Sequence, residues 1–241
     1  MLVVTAGWAT HVGLVRDGNE DAGYVGRRLW AVADGMGGHA AGEVASGLVV
    51  EALAELDESE SLDRESLVEG VRGANDRLRA YSADHARTRG MGTTLTGVAV
   101  VGQEAEERLC VFNIGDSRVY RLAGDAVEQV TLDHSEVGEL VAEGILTPEE
   151  ALFHPLRNIL TRCLGMWPFP GVDTWPLEVT DGVRLLICSD GLTGEVSDAR
   201  LASILRDLAD PQEAADALVA AALEAGGHDN VTVIVLDVAP G

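Results

Sequence analysis

The chain has 241 residues and a net charge of −23, which argues against electrostatic binding of nucleic acid or of an anionic membrane. All 17 basic residues are arginine, so chemistry that needs a Schiff-base, P-loop or kinase-type lysine is excluded. Cys110, Cys163 and Cys188 fit no disulfide or zinc spacing and point to a reduced, cytoplasmic setting; no apolar run approaches the ~18–20 residues of a membrane span, and no signal peptide opens the chain.

No Pro/Gly/Ser linker divides the sequence, so residues 1–241 are expected to form a single domain. Strands are predicted at 3–15 and 22–34, around the polar turn Arg16–Asp21. Val44, Leu48, Ala52 and Leu56 recur at helical spacing, predicting a helix from Ala40 to about Glu55. A second amphipathic helix is predicted from about Leu62 to Ala86. Strands follow at 93–102, 107–114, 117–123 and 126–131, with Gly124-Asp125 as a hairpin turn. A helical interlude is expected at 135–165, where Thr147-Pro148-Glu149-Glu150 opens a capped helix. Strands are predicted at 172–180 and 183–189, helices at 198–208 and 211–225, and a last strand at 230–238. Strands and helices come in blocks, which favours an α+β fold of antiparallel sheets flanked by helices over a doubly wound parallel sheet.

Four aspartates sit where an apolar run meets a tight turn. They are Asp34 after Leu29–Ala33, Asp116 after Leu109–Ile114, Asp190 after Val183–Ser189, and Asp229 before Val231–Leu236. A strand end holds a side chain rigidly, and the adjoining Gly or Asn lets the backbone turn sharply. Four such carboxylates can converge only around a cation, and oxygen ligands suit Mg²⁺ or Mn²⁺. Competing motifs are weaker. Gly35–Ala40 fits a relaxed dinucleotide fingerprint, but the Asp34 charge would repel a pyrophosphate. Gly115-Asp116-Ser117 hints at a serine hydrolase, yet no nucleophile elbow is present. The six histidines show no metal spacing, and Asp133-His134 is read as a turn and helix cap.

The ordered set Arg16-x-x-Asn19-Glu20-Asp21, Asp34-Gly35-Met36-Gly37-Gly38, Gly92-Thr93-Thr94, Gly115-Asp116-Ser117-Arg118, Ser189-Asp190-Gly191 and Asp229-Asn230 resembles the signature of the PP2C (PPM) family of metal-dependent protein serine/threonine phosphatases. Segment 134–165 is similar to the flap of the bacterial branch. The resemblance implies an α-β-β-α sandwich of two antiparallel sheets. It implies hydrolysis of phosphoserine and phosphothreonine in proteins by a metal-activated water, without a phosphoenzyme. It also implies roles: Asp34 bridging two ions (Mn²⁺ or Mg²⁺), Asp190 and Asp229 completing the first, the Gly35 carbonyl and, through water, Glu20 at the second. Asp116 with Asp190 would form a third, weaker site, with a flap carbonyl near Asn158 as a further candidate ligand, and Arg16 would hold the phosphate. Expected partners are phosphorylated proteins made by bacterial serine/threonine kinases, acted on by a monomer. Eukaryotic relatives carry a histidine where Met36 stands, so the general acid is left between a metal-bound water and His39. A non-catalytic scaffold of the same fold would usually lack one of these carboxylates, and none is missing.

Overall fold

The computed structural model describes residues 1–37, 41–103, 106–179 and 182–241. Eleven strands and seven α-helices are found among them. One sheet contains β1 (Leu2–His11), β11 (Val231–Pro240), β10 (Val183–Cys188), β7 (Arg118–Ala123) and β8 (Ala126–Gln129), in that order. The other contains β2 (Asp21–Val25), β3 (Leu29–Met36), β5 (Leu95–Val101), β6 (Arg108–Ile114) and β9 (Asp173–Leu177), with the short β4 (Gly92–Thr93) on β3. Every pairing is antiparallel.

Side chains on a strand alternate between faces, so a central strand of a covered sheet serves two cores. In β3, Trp30 and Val32 enter the space between the sheets, where they meet Val98, Val111, Ile187 and Ile234. Leu29, Ala31 and Ala33 face the other way, onto α1 (Ala41–Asp57) and α2 (Arg64–Asp84). Across the molecule, Leu186, Cys188, Val233 and Val235 pack beneath α6 (Asp198–Asp207) and α7 (Pro211–Ala225). Three apolar layers therefore stack as helix, sheet, sheet, helix, and the expected sandwich is the one observed. Local chemistry sets the helix ends. Asp63 and Ser66 form a capping box on α2; Asp210 caps α7 ahead of Pro211, and α7 stops at Gly226 and Gly227, both at positive φ.

Three expectations are corrected. First, 22–34 is not one strand but the hairpin β2–β3. Its turn, Gly26-Arg27-Arg28, lacks the usual Asn-Gly or Asp-Gly chemistry and is held from a distance. Asp57, at the end of α1 and 6% exposed, accepts the Arg27 and Arg28 N–H groups at 2.7 and 2.9 Å and the Tyr24 hydroxyl at 3.1 Å. Second, β1 stops at His11 instead of running to 15, because Gly13 takes a positive φ of 82° and Leu14 N–H bonds the Gly227 carbonyl at 2.7 Å. Third, only part of the interlude is helical: α3 (Glu136–Ala142) and α4 (Pro148–Ala151), the latter with the expected Thr147/Glu150 capping box. One turn, α5 (Asp190–Thr193), was not anticipated. The Gly124-Asp125 hairpin joins β7 to β8 as expected.

The Asp57 bond set makes a test of the hairpin. Hydrogen bonds to a buried charge contribute about 1.5–3 kcal/mol each, so Asp57→Ala should lower unfolding stability by at least about 2 kcal/mol. Urea titration should show an earlier midpoint with an unchanged slope; a midpoint equal to wild type would mean that the turn stands without Asp57.

Candidate active site

Asp34, Asp116, Asp190 and Asp229 lie at one rim of the sandwich because the strands that carry them end there. In the β2–β3 ladder Asp21 stands directly opposite Asp34. Asp190 follows β10 and Asp229 precedes β11, two strands that are neighbours in the other sheet. The glycines beside them permit close backbone packing: a Cβ on Gly191 would fall 1.9 Å from the Asn230 carbonyl oxygen, and one on Gly35 would fall 2.1 Å from that of Gly42.

A hydrogen-bonded frame fixes these turns. Asp34 N–H donates to Thr94 Oγ1 at 2.9 Å. The Asp34 carbonyl accepts from Thr94 N–H and Thr93 Oγ1, each at 2.9 Å. Thr94 Oγ1 in turn pairs with Ser117 Oγ at 2.8 Å, tying the Asp34 strand to the Asp116 turn. Asn230 accepts Glu20 N–H at 2.8 Å and donates to the Val12 and Gly18 carbonyls, so it anchors the whole Arg16–Asp21 loop. Ser189 Oγ donates to Asp21 Oδ2 at 2.8 Å and accepts Thr232 N–H at 3.0 Å. The sequence motifs contain Asp21, Thr94, Ser117, Ser189 and Asn230 but gave them no task; the usable signal was a Ser, Thr or Asn beside each strand-end carboxylate. Ser117 and Ser189 are buried in this frame with no histidine partner among the described residues, which argues against the serine-hydrolase reading.

His134 is the other residue the sequence undervalued. It is 2% exposed; its Nδ1 accepts Gly115 N–H at 3.1 Å and its Nε2 faces Asp173 Oδ2 at 3.1 Å. Accepting at Nδ1 places the proton on Nε2, where it is donated to Asp173. Arg162 braces Asp173 at 3.1 Å. The chain from Arg162 through His134 therefore clamps the turn before Asp116 to the root of the flap. His134 caps no helix, since Ser135 is the N-cap of α3, and Asp133 instead pairs with Arg118 at 2.6 Å.

Electrostatics at the rim run against the carboxylates. Burial raises the Asp34 carboxyl well above its ordinary range, and the charges of Asp21, Asp190 and Asp116 raise it further. Burial, then Asp190 and Asp133, lifts Asp116 to about 8. Asp21 is lifted to about 7, chiefly by burial, against hydrogen bonds that lower it. Asp190 is raised by burial and by Asp229, and is relieved by a hydrogen bond with Asp34 and by Arg118 and Arg16. Asp21 Oδ1 is buried with no partner among the described residues. Arg16, on the exposed rim, donates to Asp229 Oδ2 at 2.7 Å, using one of the five N–H groups of its fork.

The structure thus brings Arg16, Asp34, Asp116, Asp190 and Asp229 within electrostatic reach of one another. Glu20 and the Gly35 carbonyl meet beside Gly42, where a Cβ would fall 2.7 Å from both Glu20 Cδ and the Gly35 oxygen. Among the described residues no three His, Cys, Asp or Glu side chains are yet drawn close enough to hold an ion. The donor set nevertheless fits a hard cation: it is all oxygen and it repels itself, and beside it Asp21 keeps a buried oxygen with no partner among the described residues. Met36 pairs with Gly92 on β4. Gly38, His39 and Ala40, and with them the candidate acid and part of the dinucleotide-like loop, lie outside the described residues.

The sequence model of the family described as protein phosphatase 2C matches residues 16–225. A serine/threonine protein phosphatase PstP of Mycobacterium tuberculosis is 45% identical over 232 residues; these cover 94% of this chain but 43% of that relative, so the chain spans less than half of its length. A serine/threonine phosphatase stp of Listeria innocua is 36% identical, covering 96% of this chain and 95% of the relative. A crystal structure of the catalytic domain of PstP, in complex with two manganese ions, superposes with a TM-score of 0.88 at 41% identity over the full length of both chains.

The raised carboxyls make the metal-free protein pH-sensitive in a defined direction. Folded-state affinities above the unfolded value of about 3.9 mean that the native state binds extra protons, so stability falls as pH rises. In EDTA the loss should begin above about pH 4 and continue through the ionisation of Asp21 at about 7 and of Asp116 at about 8. Asp116→Asn should flatten that profile in urea unfolding; an unchanged profile would contradict the crowding.

Proposed function

The chain belongs to the protein phosphatase 2C family, and we propose that it hydrolyses phosphoserine and phosphothreonine in proteins with the help of divalent metal ions. The observation that carries the reading is the rim itself: several half-buried carboxylates short of positive charge, with one arginine fork at their edge. In this reading Asp34, Asp190 and Asp229 would hold one ion, and Asp34, the Gly35 carbonyl and, through water, Glu20 would hold a second; Asp116 with Asp190 would hold a third, weaker one. When bound, the ions supply the Lewis acidity that brings water's pKa toward neutrality and offsets charge on the phosphoryl oxygens. Mn²⁺ or Mg²⁺ suits the oxygen donors.

The protein's own residues prepare that chemistry. Arg16 holds Asp229 through Nη2 and has N–H groups to spare for a phosphate dianion, which it can grip bidentately. Thr93, Thr94, Ser117, Ser189 and Asn230 hold the carboxylate-bearing turns in place and limit reorganisation during the reaction. Met36 has no proton to give, so protonation of the leaving oxygen falls to water or to His39.

The chain is read as one catalytic domain, acting as a monomer on proteins phosphorylated by serine/threonine kinases in a reduced, cytoplasmic setting. The three cysteines are free, and no helix among the described residues is long and apolar enough to cross a membrane.

Phosphate release from a phosphothreonine peptide, with and without Mn²⁺, tests the proposal. Asp34→Asn should lower metal-dependent kcat by on the order of a hundredfold or more. Arg16→Ala should act more on KM than on kcat. Near-wild-type turnover by Asp34→Asn would sink the site assignment.

A further inference from the structure

Beyond the carboxylate rim the surface carries a second polar recess. It encloses about 430 Å³ between the end of α2 (Arg79, Ser82), the loop Arg89-Gly90-Met91 and the returning flap at Gly165. Its lining holds two arginines and no carboxylate, in a chain whose net charge is −23. The ion pairs among the described residues involve neither Arg79 nor Arg89. Two exposed arginines on the same helix do find acids, Arg77 with Glu51 and Glu55 and Arg72 with Glu69, while Arg64 bonds the Thr174 hydroxyl.

Arg79 is nevertheless held in place. Its guanidinium carbon lies 4.5 Å from the ring centroid of Trp167, a side chain 72% exposed. Stacking uses the face of the guanidinium and leaves its N–H edge free for an oxyanion. Arg89 lines the same recess next to Gly90, which has a positive φ of 79° and open space where a Cβ would stand.

The recess adjoins the catalytic rim. Met91 packs so closely on Gly37 that a Cβ there would lie 2.9 Å from Met91 Cα, and Gly92 pairs with Met36. Gly37 is three residues from Asp34, a chain span of at most about 11 Å. A peptide seated at the rim in an extended form advances about 3.3 Å per residue, so a side chain a few residues from the reacting one can reach the recess.

We propose that the Arg79–Arg89 recess is an anion subsite that binds a second acidic or phosphorylated side chain of the substrate protein. The inference rests on the phosphatase reading above. It answers a physical difficulty of that reading: a strongly negative enzyme repels negatively charged substrates unless local positive charge gathers them.

The test compares phosphopeptides bearing one phosphothreonine and, at scanned offsets on either side, a non-hydrolysable phosphonate side chain or alanine in its place. Wild-type kcat/KM should be about tenfold higher for the doubly charged peptide at one or more offsets, the size of a charge-assisted hydrogen bond. Arg89→Gln and Arg79→Gln should each remove that advantage while turnover of the alanine peptide and of p-nitrophenyl phosphate stays at the wild-type level. No advantage at any offset, or equal losses on all substrates, would overturn the subsite while wild-type p-nitrophenyl phosphate turnover upholds the parent reading. Absence of metal-dependent p-nitrophenyl phosphate turnover in the wild type would overturn both.

Discussion

Mutual repulsion among half-buried carboxylates is the constraint around which this molecule is arranged. A carboxylate withdrawn from water resists ionisation unless charge or hydrogen bonds compensate it, and a neighbouring carboxylate adds to the resistance. Asp34, Asp116 and Asp190 each suffer both effects, and their proton affinities rise accordingly. Hydrogen bonds offset only part of this, as at Asp21, where Ser189 donates to one oxygen and the other has no partner among the described residues. A cluster of this kind favours the fold only when cations join it, which couples metal binding to stability as well as to chemistry.

The sandwich makes the crowding possible. Its three apolar layers give each central strand a buried face on either side, so strand positions are fixed by packing and not by the rim. The rim residues can then be chosen against local stability, with frame residues on both sheets absorbing the strain. Thr94 with Ser117 ties a turn of one sheet to the crossover between β6 and β7; Ser189 with Asp21 joins one sheet to the other. Loss of a frame hydroxyl would loosen carboxylate placement without touching an ion directly, a subtler lesion than loss of a ligand.

Strand-end carboxylates were legible in the sequence because apolar runs mark strands and Asp-Gly or Asp-Asn marks their ends. The blocks of strands and helices made antiparallel sheets flanked by helices legible; the layer order was implied only by the family resemblance, and the strand order was not legible. What escaped was whatever depends on partners distant in the chain. The β2–β3 turn carries no turn signal of its own because Asp57 supplies its bonds from 29 and 30 residues away. Ser189 and Asp21 are separated by 168 residues. The flap follows the same logic. Its capping box correctly marks α4, but the rest is shaped by tertiary bonds, such as Thr161 N–H to the His134 carbonyl and the Thr93–Leu164 bridge. His134 looked like a surface turn residue, and only the position of Gly115 reveals its use.

Arginine placement extends the argument from stability to recognition. With 17 cations against 40 acids, most guanidiniums could be expected to be neutralised by neighbours, and several are. Arg184 is consumed structurally, reaching Asp237 and the carbonyls that end α6. Arg118 is spent on Asp133 beside the rim. Arg16 is engaged by a single bond at an exposed edge, the state of a cation ready to exchange one anion for another. Arg79 and Arg89 go further, since stacking orients one without neutralising it and both line a recess that holds no carboxylate. In a field this negative, arginines not consumed by carboxylates are points to which a phosphoprotein can be drawn, and the Arg79–Arg89 recess adjoins the rim that Arg16 edges.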